Sequence, residues 1–217
     1  DLYEAHARAT MGYSDPRPLR EVNPSMRQLA KARVLGLGFG CGAQKFIEVA
    51  KIMANYDIDF DEAQKVVADF RKTNPKIVSL WHRLEKRFRT FEGRNYSLPL
   101  PCTSADSAAR RYLIYRNIEK DGSCLQGGKK VWTYGGKIAE NWTQATARDI
   151  LADAWLNCAD AGYRPILSVH DELVFEIPIE LAEKAKTEIV AIMERPVTWA
   201  PGLPMKVEAH IANHYQK

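Results

Sequence analysis

The stretch ILSVHDELVFEI, residues 166–177, constrains the fold of this chain more than any other part of its sequence. Two runs rich in Ile, Leu, Val and Phe flank the consecutive polar residues His170, Asp171 and Glu172. Such runs, separated by a short polar break, predict a strand, a turn and a second strand. Turns usually take Gly, Asn or Pro for backbone reasons. The three polar residues therefore indicate either a site that needs their side chains or an acidic turn that faces solvent.

The bulk composition is that of an ordinary globular protein, with 217 residues, 46% hydrophobic and 27% charged. No apolar run reaches the roughly 18 residues of a membrane helix, and the N-terminal residues lack the apolar centre of a signal peptide. The four cysteines are scattered and form no CxxC pair or Cys/His cluster. This pattern favours reduced thiols in a cytosol-like compartment over a disulfide framework or a zinc site.

The charge distribution is more informative than the net charge of +4. Between residues 81 and 137, Lys and Arg outnumber Asp and Glu by seven, and aromatic residues are interleaved with them. That pattern is typical of a phosphate-binding stripe for nucleic acid. A solvated helix face with protected strand edges would give the same pattern.

Periodicity and turn signals predict an α+β fold, with a helical subdomain followed by an antiparallel sheet that carries helices. Asn-Pro pairs at 23–24 and 74–75 predict helix starts. Strands are predicted over residues 96–101, 110–116 and 129–134. Loops are predicted over residues 104–107 and 119–128. A long helix is predicted to end at Gly162, and the strands of the hairpin at 164–169 and 173–178 follow. A last helix over 179–195 and a final strand near 205–211 complete the expectation.

A cationic stripe is predicted on the helix that begins near Asn23. Four residues recur every fourth position: Arg27, Lys31, Leu35 and Phe39. On a helix each would lie about 40° around from the last. Two cations one turn apart repel unless an anion lies between them, and a polyphosphate would satisfy that need. Glycines 36, 38, 40 and 42 would thin this helix, which favours the close approach of another backbone or a ligand. The alternative is an exposed basic helix face that runs into a glycine-rich loop. The spacing excludes a P-loop and a dinucleotide-binding fingerprint.

These residues resemble a known family. Arg27, Lys31, Phe39 and Gly40 form an R-x3-K-x7-[FY]-G pattern similar to motif B of family A DNA polymerases, the relatives of bacterial polymerase I. VHDELVFEIP resembles their motif C, and GGKIAENWTQATARDIL resembles the helix before motif C, closest to the phage-encoded branch. The resemblance implies fingers over residues 1–92 and part of a palm over 93–217.

The resemblance also implies roles in nucleotide binding. Arg27 and Lys31 would bind the phosphates of the incoming deoxynucleoside triphosphate, and Lys31 would assist the departing pyrophosphate. Leu35 lies where the family usually has an aromatic residue against the sugar and base. Phe39 replaces a usual tyrosine, and Tyr3 lies where many members have a phosphate-contacting histidine.

The remaining implied roles concern metal and DNA. Asp171 would be a ligand for catalytic Mg²⁺ in a two-ion site, with Glu172 beside it and His170 near the primer end. The residues implied to contact primer–template DNA are Asn141, Gln144, His170 and Gly40, with the first two facing the minor groove.

The family's motif A, a D-Y-S-x-I-E run with the other essential carboxylate, is missing from the sequence. The chain is therefore expected to be the C-terminal portion of a polymerase, inactive alone and located in the cytoplasm of a bacterium or phage-infected cell. It would be an expressed fragment, a processed product or one half of a split enzyme, and in the last case an upstream polypeptide would carry motif A. Two alternatives stay open: a non-catalytic nucleic-acid-binding module derived from a polymerase, and a relative of single-subunit RNA polymerases.

Overall fold

The computed structural model describes residues 1–101 and 111–215. The chain divides into two compact units, one of residues 1–96 with 115–141 and one of residues 97–114 with 142–217. Eight α-helices and three two-stranded sheets are present in the described residues. The α+β class expected from the sequence is confirmed.

Six helices make up most of the first unit: α1 Leu2–Thr10, α2 Leu19–Val22, α3 Pro24–Leu37, α4 Ala43–Ala54, α5 Phe60–Thr73 and α6 Pro75–Arg89. Their starts follow local chemistry. The Asn23 side chain accepts a hydrogen bond from the Met26 amide at 2.9 Å, and Pro24 occupies the first position, as the sequence predicts. Asp59 caps α5 in the same way, through the Glu62 amide.

The main core of the first unit lies among α3, α4, α5 and α6. Phe46 is fully buried there, and Leu37, Phe70 and Trp81 pack in the same cluster. α6 therefore presents an apolar face to this core and leaves its other face in solvent. A smaller cluster holds α1 and α2 against α3 through Ala7, Leu19 and Ala30.

The strands form three sheets of two strands each: β1 Tyr96–Pro99 with β2 Tyr112–Tyr115, β3 Ser123–Gln126 with β4 Lys129–Trp132, and β5 Pro165–Val169 with β6 Glu172–Phe175. The prediction of a loop over 119–128 is wrong, because β3 lies inside it. Gly127 and Gly128 both have positive φ and close a two-residue hairpin between β3 and β4. The predicted loop at 104–107 lies outside the described residues.

The long helix α7 covers Gly135–Asp160, and Gly162 at φ +92° ends it, as predicted. The second unit continues through β5 and β6, a short 3₁₀ helix at Ile179–Leu181, and α8 Ala182–Met193. Cys158 of α7 is fully buried against Ile189 and Ile192 of α8. The β5–β6 hairpin predicted from ILSVHDELVFEI is confirmed.

The final strand predicted near 205–211 is wrong, because these residues form no strand. A strand needs a partner for its backbone groups, and the Val207 amide instead donates to the Glu194 side chain at 2.9 Å. No helix among the described residues has the length and apolar character needed to cross a membrane.

Candidate functional site

Helix α3 carries the two cations of the predicted nucleotide site. The Arg27 Nε donates to Asp1 Oδ2 at 2.7 Å, and this side chain is only 30% exposed. Within the described residues Lys31 has neither a hydrogen-bond nor an ion-pair partner, and it is half-buried. Leu35, one turn further on, is 39% exposed. One cation is thus held by a carboxylate and the other is available to a ligand.

Tyr3 lies beside Arg27, although 24 positions separate them along the chain. The guanidinium carbon of Arg27 is 5.2 Å from the centre of the Tyr3 ring, within the range of a cation–π contact. Asp1 holds both partners, since its other oxygen accepts a hydrogen bond from the Tyr3 amide at 2.9 Å. No sequence pattern links Arg27 to Asp1 and Tyr3 across this separation. Only the role of Asp1 as the cap of α1 could have been predicted from its neighbours.

The four-residue stripe predicted on one helix is wrong at its end. α3 stops at Leu37, and Phe39 lies in the turn that follows. Gly40 has φ +82°, a left-handed conformation that ends the helical path and that glycine adopts most easily. Of the four glycines expected to thin the helix, only Gly36 lies within it.

The turn after α3 packs tightly against the start of α7. A Cβ added at Gly136 would overlap the Phe39 carbonyl, and one added at Gly40 would lie 3.7 Å from Gly136 Cα. The missing side chain of Gly136 therefore allows the two backbone segments to come close. This contact fixes the position of Phe39 relative to α7.

Asn141 and Gln144 both lie on α7. The Asn141 side-chain amide donates to the Tyr115 hydroxyl at 3.2 Å. Burial raises the pKa of Tyr115 to about 12, so this hydroxyl stays neutral at ordinary pH. One N–H of Asn141 is thus used within the protein, and its amide orientation is set by a buried ring. Gln144 is exposed.

The β5–β6 hairpin has a two-residue turn, His170 and Asp171, between the paired residues Val169 and Glu172. His170 has φ +59°, in a position where such turns favour glycine. A side chain in this conformation costs about 1–2 kcal/mol. The side chains of His170 and Asp171 are 86% and 92% exposed, with His170 Nδ1 3.9 Å from Asp171 Oδ1. The unfavourable conformation of His170 at an exposed turn is the physical argument that this turn has a functional role.

Glu172 begins β6 and accepts a hydrogen bond from the Tyr215 hydroxyl at 3.1 Å. The described residues contain no group of three His, Cys, Asp or Glu side chains able to hold a metal ion. Mg²⁺ is often bound by one or two carboxylates together with substrate phosphates. The exposed carboxylate of Asp171 suits that kind of site, and the carboxylate of the adjacent Glu172 is a second candidate ligand.

The structure thus places the predicted nucleotide-binding and metal-binding residues in different units. Tyr3, Arg27, Lys31, Leu35 and Phe39 belong to the first unit, on or beside α3. The hairpin residues 170–172 belong to the second unit. Asp1, Tyr115 and Tyr215 were not predicted, because each acts through a partner far away in sequence.

Comparison with known proteins assigns the family. The model of DNA polymerase family A matches residues 1–217, and the chain belongs to this family. It is 30% identical over 240 aligned positions to the DNA polymerase of Bacillus phage SP02, with all of the chain covered. It is 26% identical over 202 positions to the thermostable DNA polymerase I of Thermus aquaticus, with 91% covered.

A solved structure supports the fold. The POL domain of Pol1 from M. smegmatis, in complex with DNA primer-template and dNTP, matches 95% of the chain with a TM-score of 0.59 and 21% identity. The chain spans only part of these proteins: 36% of the phage polymerase, 21% of the Thermus polymerase and 32% of the mycobacterial chain.

Proposed function

We propose that this chain supplies the fingers, residues 1–92, and part of the palm, residues 93–217, of a polymerase that adds deoxynucleotides to a primer 3′ end. Membership of DNA polymerase family A supports this proposal. The observation that carries it is the order of two features along the chain. Arg27 and Lys31 lie one turn apart on α3, and Asp171 follows at the tip of a strained hairpin.

The cations of α3 bind the triphosphate in this proposal. Arg27 donates N–H groups to phosphate oxygens in a charge-assisted contact. Lys31 places its ammonium group beside the bond that breaks, between the α-phosphate and the pyrophosphate. It donates a proton to the departing pyrophosphate. The ring of Tyr3 holds Arg27 in position, while Leu35 and Phe39 pack against the sugar and the template side.

Asp171 holds Mg²⁺ in this proposal, with Glu172 beside it and the second carboxylate supplied from outside this chain by motif A. Mg²⁺ held there would supply positive charge to stabilise the attacking 3′ oxygen and the leaving phosphate. His170 lies next to Asp171 and contacts the primer end. The paired strands β5 and β6 hold the backbone of Asp171 at the hairpin tip.

The DNA partner is a primer–template duplex, and α7 contacts it. Asn141 and Gln144 donate to minor-groove acceptors, which are shared by all base pairs and therefore allow sequence-independent binding. Gly40 is placed at the template side of the same proposed site, in the turn after α3 that packs against the start of α7.

The test is Asp171→Asn in the complete protein, with Asp160→Asn as a matched control. Asp160 is also an exposed aspartate of the second unit, at the end of α7. We expect Asp171→Asn to reduce single-nucleotide addition at least a hundredfold or so, with primer–template affinity unchanged within about twofold. Asp160→Asn should leave both unchanged.

Full addition by Asp171→Asn would overturn the role of Asp171 as a metal ligand. A second measurement distinguishes a polymerase from a module that only binds nucleic acid. Mg²⁺ with the matched nucleotide should tighten primer–template binding, whereas a mismatched nucleotide should not. Equal binding in all conditions would instead favour a module that binds nucleic acid without extending it.

A further inference from the structure

The C-terminal segment of the chain ends beside the hairpin that carries the candidate metal ligands. Residues 204–215 form neither a helix nor a strand, yet Met205, Val207 and Ala209 are half-buried and alternate with exposed neighbours. The Val207 amide donates to the side chain of Glu194 at the end of α8. One face of this segment is therefore seated on the second unit.

The end of this segment contacts Glu172 through Tyr215. The Tyr215 hydroxyl donates a hydrogen bond to Glu172 Oε2 at 3.1 Å, across 43 positions of sequence and within one unit. Among the residues that the structure describes, the Glu172 carboxylate has no cationic partner and accepts no second hydrogen bond. One carboxylate oxygen is thus held by the hydroxyl, and the other is open to a ligand.

A tyrosine hydroxyl is a suitable donor for a carboxylate that binds a metal ion. Because the hydroxyl is neutral, it orients the carboxylate without cancelling its negative charge, whereas Lys or Arg would compete with the ion. Carboxylates that bind metals are themselves usually hydrogen-bonded. Loss of such a partner typically lowers metal affinity or activity roughly 10- to 100-fold.

We propose that Tyr215 is a positioning residue for the metal site, in which its hydroxyl holds Glu172 Oε2 and leaves Oε1 available to Mg²⁺. This inference rests on the proposed function, since it requires Glu172 to bind the ion beside Asp171. It adds to that function a residue of the C-terminal segment, outside the hairpin itself. Tyr215 acts through Glu172 and touches neither the ion nor the substrate.

The experiment compares Tyr215→Phe with Tyr163→Phe in the complete protein. Phenylalanine keeps the ring and removes the hydroxyl in both variants. Tyr163 is the matched control because its hydroxyl also donates to a glutamate of the second unit, Glu188 of α8. Tyr163 precedes β5, at the opposite end of the hairpin from its turn.

Two measurements of metal binding are made with primer–template DNA and the matched nucleotide. The first is the Mg²⁺ concentration that gives half-maximal single-nucleotide addition, together with the rate at saturating Mg²⁺. The second does not depend on catalysis. It is the affinity for Mn²⁺, read from the electron paramagnetic resonance signal of the free ion, with a primer that lacks its 3′ hydroxyl. Denaturant unfolding checks that each variant is folded.

We expect Tyr215→Phe to raise the half-maximal Mg²⁺ concentration and to weaken Mn²⁺ binding, each by about tenfold. The rate at saturating Mg²⁺ should recover, since excess ion fills a weakened site. The midpoint of unfolding should not move, and Tyr163→Phe should leave both metal measurements unchanged. In a Glu172→Gln background, Tyr215→Phe should add no further loss, because the hydroxyl acts only through that carboxylate.

Four results would contradict the proposal. Unchanged metal binding in Tyr215→Phe, with weaker Mn²⁺ binding in Glu172→Gln, would leave the proposed function standing and remove Tyr215 from it. Unchanged Mn²⁺ binding in both Glu172→Gln and Asp171→Asn would show that the proposed metal site itself is wrong. A loss shared by Tyr163→Phe would assign a structural role to Tyr215. A loss that persists in the Glu172→Gln background would mean that Tyr215 acts through another group.

Discussion

The Asp1 carboxylate bridges the backbone of Tyr3 and the side chain of Arg27, with its two oxygens at 2.9 and 2.7 Å from the respective nitrogens. The cation proposed to receive a triphosphate is therefore paired with an acid. A triphosphate must replace Asp1 or share Arg27 with it.

We expect Asp1→Asn to tighten nucleotide binding by about twofold to fivefold, because partly exposed ion pairs contribute up to about 1 kcal/mol. Asparagine can still cap α1. The measurement is the equilibrium affinity of the matched nucleotide for the primer–template complex. Asp15→Asn, which removes an exposed pair with Arg17, is the control. Weaker binding in Asp1→Asn would mean that Asp1 positions Arg27 rather than competing with the nucleotide.

His170→Gly should separate stability from activity. Glycine relieves the cost of positive φ, so the free energy of unfolding should stay the same or rise by about 1 kcal/mol. Primer extension should fall, since the side chain proposed to contact the primer end is lost. Denaturant unfolding and extension assays measure the two effects. A loss of stability above about 1 kcal/mol would show that the imidazole itself stabilises the turn.

Gly136→Ala should destabilise the protein more than Gly40→Ala. The new methyl group at Gly136 would overlap the Phe39 carbonyl, and backbone cannot move aside as a flexible side chain can. We expect the free energy of unfolding to fall by an amount near the upper end of the roughly 1–3 kcal/mol that overpacked substitutions cost. Gly40→Ala meets only ordinary contacts and should cost about 1–2 kcal/mol for its positive φ.

Gly128→Ala is the control for this pair, because Gly128 also has positive φ but nothing lies near its added Cβ. In urea unfolding, Gly128→Ala should lower the free energy of unfolding by the same amount as Gly40→Ala. If Gly136→Ala costs no more than these two variants, the close approach between the α3 turn and α7 is not rigid.

Acid should weaken the first unit through His6. Burial lowers the pKa of His6, and the nearby charge of Arg33 lowers it further. The unfolded chain then binds a proton more readily than the folded one, so the free energy of unfolding falls as pH drops through the ordinary histidine pKa of about 6.5. His6→Gln should flatten this dependence between about pH 5 and 8. An unchanged slope in that variant would assign the effect to other groups.

Local signals predicted the parts of the fold that depend on neighbouring residues. Asn23 and Pro24 marked the start of α3, and the apolar runs around His170 marked a hairpin, because caps and strand alternation are local. β3 was missed because SCLQ lies among Gly and charged residues, although the Gly127-Gly128 pair is itself a hairpin signal.

The candidate site was harder to predict where it depends on distant contacts. Spacing alone placed Phe39 on the helix, but the positive φ of Gly40 and the approach of Gly136 end the helix earlier. The pairing of Arg27 with Asp1, and of Asn141 with Tyr115, joins residues 26 positions apart. No periodic pattern encodes such pairs.

The pairing of Val169 with Glu172 has a consequence for how this hairpin can vary. Side chains of a strand alternate between faces, so one inserted or deleted residue reverses every side chain beyond it. Chain length between those two positions is therefore restricted more strictly than residue identity. Substitutions at the tip change its chemistry one side chain at a time, whereas a single-codon insertion would turn all of β6 over.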